Sequence, residues 1–126
     1  MVPFQTRVSV QIPNNGNTAE VKVTTVPNKR RLVIEYVSCD ITLPTGQRPF
    51  VFIATNVLGS GALIHRLFAD YQATFGPGDF FVVSQLTRLY ADAGTDVIFG
   101  VQRSAVASPI QSGANVTISG YLEDAV

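Results

Sequence analysis

The chain has no tryptophan, one cysteine, one histidine and one methionine in 126 residues, and only 14% of it is charged. Each scarcity removes a class of function. A lone Cys39 cannot form an intrachain disulfide, and its place inside an apolar segment predicts a buried, inert thiol. One histidine and one cysteine cannot supply the three or four nitrogen or sulfur ligands of a transition-metal site. Gly76-Pro77-Gly78 and Gly113 lack the lysine and the strand-to-helix setting of a phosphate loop, so no cofactor is expected. Nine basic residues balance nine acidic ones and only Lys29-Arg30-Arg31 forms a run, so no field draws in nucleic acid. No stretch approaches 18 apolar residues, and the N-terminus MVPFQTRVSV lacks the basic region and apolar core of a signal peptide. A membrane span is not expected. Secretion or periplasmic export fits only if a signal was removed ahead of Met1.

What stands in place of charge is Thr, Ser, Asn and Gln, 32 residues in all, which suit strand faces and turns better than exposed helices. Arg outnumbers Lys seven to two, a bias found where planar pairing or an interface is needed.

The pattern is that of strands. Phe4 to Ile12 alternates apolar and polar residues, the turn Pro13-Asn14-Asn15-Gly16-Asn17 follows, and Val21, Val23 and Thr25 resume the alternation, which predicts a hairpin. Arg30 to Leu43 is the longest strand, read with Val33, Val37, Cys39, Ile41 and Leu43 on one face and Leu32, Ile34 and Tyr36 on the other. Glu35 interrupts this apolar run and calls for an Arg or Lys partner from the same chain or from another subunit. Phe50 to Thr55 is a short strand, followed by a loop from Asn56 in which Gly59-Ser60-Gly61 acts as a hinge.

Leu63 to Phe75 fits both helical and strand spacing and is read as one strand, because Gly76-Pro77-Gly78-Asp79 and the run Phe80 to Tyr90 beyond it make a hairpin. Val97 to Val101 and Val116 to Leu122 complete the set, with Ser104 to Asn115 a loop between them. About eight strands in a single domain over residues 1–126 predict an all-β fold, an antiparallel, jelly-roll-like β-sandwich, with a closed barrel as runner-up.

Chemistry is sparse on this frame. His65 lies in Leu-Ile-His-Arg-Leu with no nucleophile motif beside it, and a pocket-lining role outweighs a catalytic one. Asp92 and Asp96 bracket a turn and are the weak calcium candidate, although Asp92 capping that turn is the stronger reading. Asn115-Val116-Thr117 matches a glycosylation triplet but overlaps a strand start. Stacking on a glycan needs only an aromatic face, and Tyr71 and Tyr90 are the candidates, with His65, Arg66 and Arg88 as further ligand-binding residues.

Val26 to Ser38, VPNKRRLVIEYVS, and Leu89 to Gly94, LYADAG, resemble a group of uncharacterised bacterial proteins with V-P-x-x-K-R-L-V-I-E-x-V-S and L-Y-A-D-x-G stretches. Ile118-Ser119-Gly120-Tyr121-Leu122 is similar to the closing strand of trimeric C1q and TNF-like jelly rolls. These resemblances imply a bacterial, exported sandwich able to form a trimer, and they bring no active site. The expectation is therefore a non-enzymatic binding or assembly module that self-associates as a homo-oligomer. A lectin-like carbohydrate-binding module is the alternative. An isomerase-like barrel pocket around His65, Arg66 and Arg88 is the third reading.

Overall fold

A computed structural model describes residues 1–58, 61–104 and 112–125. Among these residues nine strands form two antiparallel sheets: β1 (Val2–Ile12), β2 (Thr18–Thr25), β3 (Arg30–Pro44), β4 (Pro49–Val57), β5 (Gly61–Leu67), β6 (Asp70–Phe75), β7 (Gly78–Ala91), β8 (Asp96–Arg103) and β9 (Ser112–Asp124). The five-stranded sheet runs β1-β9-β3-β7-β6 and the four-stranded sheet β2-β8-β4-β5. Without β6 the two orders interleave as in a jelly roll, so the sandwich expectation holds and the barrel does not.

The ninth strand comes from Leu63–Phe75. Rather than one strand, this segment is two, split at Phe68 and Ala69, with β5 in one sheet and β6 in the other. Only β4–β5 and β6–β7 are hairpins; every other connection passes between sheets. The hairpin expected of β1 and β2 is therefore corrected, since β1 pairs with β9 and β2 with β8. Their turn instead lifts the chain from one sheet to the other. Two expected loops also shorten: β4 runs through Asn56 to Val57, and β9 starts at Ser112 rather than Val116. The hinge residues 59 and 60, and 105–111 of the second loop, lie outside the described residues.

The centre of the molecule is β3, which pairs with β9 on one side and β7 on the other. A β-bulge between Ile34 and Tyr36 interrupts both registers. A bulge inserts one residue and so reverses the alternation beyond it. Leu32 and Ile34 before it, and Val37, Cys39, Ile41 and Leu43 after it, consequently all enter the core between the sheets. Val33 is fully buried but lies outside that core, in register with Tyr90 and Tyr121 on the opposite face. Glu35 needs no buried partner: it is the bulged residue and is exposed. The hydroxyl of Thr87 donates to the Ile34 carbonyl at the bulge, 2.8 Å away. Opposite it only glycine fits, because a Cβ on Gly120 would lie 1.9 Å from the Val33 carbonyl oxygen.

The four-stranded sheet contributes Val51, Ile53, Val97, Phe99 and Val101 to the same core. Each such side chain, fully withdrawn from water, stabilises by about 1.5–3 kcal/mol. Phe52 points the other way and lies flat over Gly100, where an added Cβ would meet its ring at 2.1 Å. Cys39 is buried as expected, and desolvation pushes its thiol up to about 12.

Candidate functional site

The two hairpins and the turn after β3 meet at one end of the sandwich. Gly46 takes a positive φ of 89° in the β3–β4 turn, which brings Gln47 and Arg48 over the start of β4. Arg66 stands near the end of β5, in register with Phe52, and its guanidinium spreads over the Phe50 ring at 4.7 Å. The crossover at Phe68 and Ala69 then delivers Tyr71 on β6 beside Phe81 on β7. Together these residues line an open cavity of about 620 Å³, bordered among others by Gln47, Arg48, Arg66, Tyr71, Asp79 and Phe81.

Its polar groups differ in how far they are satisfied. Asp79 is buried and accepts one hydrogen bond at each oxygen: Gly46 N–H donates to Oδ2 at 2.9 Å and the Thr74 hydroxyl to Oδ1 at 2.6 Å. Those two hydrogen bonds, that of Thr74 first, hold its carboxyl below the usual carboxylate range. Gln47 Oε1, by contrast, is buried and accepts no hydrogen bond among the described residues. Neither Arg48 nor Arg66 has a carboxylate within 4.0 Å among the described residues, whereas Arg7, Arg30 and Arg31 each pair with an acid. Tyr71 is 56% exposed, yet its side chain is held at two points. Its edge packs on Phe81 at a centroid separation of 5.8 Å, and its hydroxyl bonds to Thr74 Oγ1 at 2.6 Å.

Of the residues singled out in the sequence, the fold thus brings Arg66 and Tyr71 together and disperses the rest. His65 alternates with Arg66, faces the space between the sheets opposite Ile53, and bonds to Thr55 Oγ1 at 3.0 Å. Burial lowers its pKa. Arg88 is exposed on β7, in the other sheet, so no barrel mouth gathers it with His65 and Arg66. Tyr90 sits under the Arg31 guanidinium at 5.0 Å, and Arg31 is itself held by Glu123. Asp92 and Asp96 are used separately. Asp92 accepts the Leu58 N–H at 2.6 Å, and Asp96 accepts the Thr25 hydroxyl at 2.6 Å. Among the described residues no group of three His, Cys, Asp or Glu side chains is placed to hold a metal ion. Asn115 faces Ser9 and Asp40 from within β9 and bonds to both.

Gln47 and Arg48 are site residues that sequence reading missed. Their signal was weak: a Thr-Gly-Gln-Arg-Pro turn, 18 residues ahead of Arg66 in the chain.

A second feature is a matter of surface rather than cavity. Ten large apolar residues are exposed among the described residues; apart from Met1 and Val2, all lie between Leu58 and Tyr90. They include Leu63 and Ile64 on β5, 41% and 67% exposed, and Leu86 on β7, 84% exposed. β5 is the edge of its sheet, and β6 covers β7 only from Gly78 to Val82, leaving the rest of that side of β7 without a strand. No helix of the described chain is long and apolar enough to cross a membrane. The fold defines a jelly-roll sandwich with one added strand. No protein-family model matches the chain, and no curated protein matches it.

Proposed function

We propose that this chain is a non-enzymatic binding and assembly module that self-associates through β5. The observation that carries this reading is the character of that edge. Natural sheets blunt their edges with charge, proline, bulges or very short strands. β5 has an unbroken register with β4, no proline, a single charged side chain in Arg66, and an exposed Ile64 at its middle.

A second copy of the same strand is the best-fitting occupant. Antiparallel pairing about Ile64 would set Ala62 opposite Arg66 and Leu63 opposite His65, so no like charges face each other, and it would join two four-stranded sheets into one of eight. Light scattering on the eluted protein tests this. A species of twice 13.6 kDa is expected at high concentration, falling to the monomer in Ile64→Lys with unchanged circular dichroism. A wild-type protein that stays monomeric would end the proposal.

A second reading, a lectin-like carbohydrate-binding module, is favoured by one specific observation: the exposed but anchored ring of Tyr71 on the rim of the cavity. Aromatic faces of this kind are the stacking platforms that sugars use.

A further inference from the structure

From the cavity at the end of the sandwich we infer a binding site for an acidic saccharide, a sugar ring bearing a carboxylate. This deepens the carbohydrate reading and rests on it.

Charge carries the first part. Arg48 and Arg66 line the same cavity with no carboxylate within 4.0 Å among the described residues. The one acid lining it, Asp79, is held by Gly46 and Thr74 and lies beyond 4.0 Å of either guanidinium, so two cations face one carboxylate and the lining is net positive. A guanidinium is a planar, permanent cation whose forked donors match a carboxylate in two parallel hydrogen bonds. Arg66 is preoriented for such a role, because stacking on Phe50 at 4.7 Å restricts its head group before any ligand arrives.

The sugar ring is the second part. Tyr71 shows 56% of its surface to solvent while Phe81 and Thr74 fix its plane, so a stacked ring would pay little in lost side-chain freedom. Gln47 also lines the cavity, and its Oε1, buried without a donor among the described residues, gains one if a turn of the side chain presents it to a sugar hydroxyl. A volume of about 620 Å³ lies within the range of small-ligand sites. A bare anion would use the arginines alone and leave Tyr71 and Gln47 without a role.

The test is a set of NMR titrations of the 15N-labelled full chain with three probes: glucuronate, glucose and acetate. Glucuronate and glucose differ only in carrying a carboxylate or a hydroxymethyl group, and acetate supplies the carboxylate without the ring. Glucuronate is expected to bind at least about tenfold more tightly than either, with shifts at Gln47, Arg48 and Tyr71. Arg66→Gln and Arg48→Gln should each weaken glucuronate by about fivefold to tenfold and leave glucose unchanged. Tyr71→Ala should weaken both sugars, and Arg66→Lys should restore only part of the loss. Equal binding of glucose and glucuronate would overturn the acidic inference and leave the carbohydrate reading standing. Acetate matching glucuronate would overturn the saccharide part. Absence of shifts with every probe would overturn both.

Discussion

The two flanks of the sandwich solve the same problem differently. On one flank the chain passes between sheets from β1 to β2, and on the other from β5 to β6. The first crossing is stitched by Arg103, which is buried and donates to the carbonyls of Pro13, Asn14 and Gly16 and to Ser112 Oγ, over 2.7–3.1 Å. A buried cation is tolerated when its donors are used, and here carbonyl oxygens rather than an acid do this. Among the described residues the second crossing is held by a single side-chain bond, from the Phe68 N–H to Gln85 Oε1 at 3.1 Å, and Phe68 itself is 69% exposed.

The edges follow the same division. β1 turns Gln5, Arg7, Ser9 and Gln11 to water, and β2 turns out Glu20 and Lys22 and is bulged at Val23. β5 has no such device at its centre. One flank is finished within the chain; the other leaves an unblunted edge strand and exposed apolar side chains.

The comparison breaks most severely if Arg103 is removed. Arg103→Ala leaves three carbonyls and a hydroxyl without their donor and should lower stability by about 3 kcal/mol, read as a shift of the urea midpoint. Arg103→Lys should recover little of this, since one ammonium cannot replace the fork. A smaller effect is expected at the finished edge. Arg7 pairs with Asp40 at 3.5 Å with both side chains more than half exposed, and such pairs contribute about 0–1 kcal/mol. Arg7→Ile should therefore leave the fold intact but turn β1 into a sticky edge, seen as species larger than those of the wild-type chain in sedimentation velocity.

The smallest effect concerns pH. Burial lowers the pKa of His65 in the folded state, so the unfolded chain takes up this proton more readily. Stability should thus fall as pH drops below the ordinary imidazole value of 6.5, levelling off once the lowered folded value is passed. The contribution should vanish in His65→Gln, measured as the difference between the two proteins' urea midpoints at pH 5 and pH 7.

Much of the architecture is legible in the residues, because alternation marks a half-buried strand wherever it is unbroken, as in Phe4 to Ile12. It fails where the alternation resets. At Glu35 the bulge reverses parity, so Leu32 and Ile34 belong with Val37 and Cys39 although their spacing assigns them to opposite faces. The same holds at Phe68 and Ala69, where no glycine or proline marks the change of sheet. Pairing is harder still: β1 finds its partner more than 100 residues away in β9, and nothing local distinguishes that from a hairpin with β2. Arg103 escaped notice because its partners come from a turn some 90 residues earlier. In the cavity, Tyr71 and Arg66 were visible as residue types, while Arg48 and Gln47 join them only through the meeting of three elements at one end of the fold.

Amide hydrogen exchange across a dilution series tests the contrast between the flanks most directly. The amides of β5 should be protected at high protein concentration and lose that protection on dilution, while those of β1 exchange at a rate independent of concentration. Protection in β5 that does not change with concentration, or a concentration dependence confined to β1, would contradict the assignment of β5 as the surface that a second copy covers.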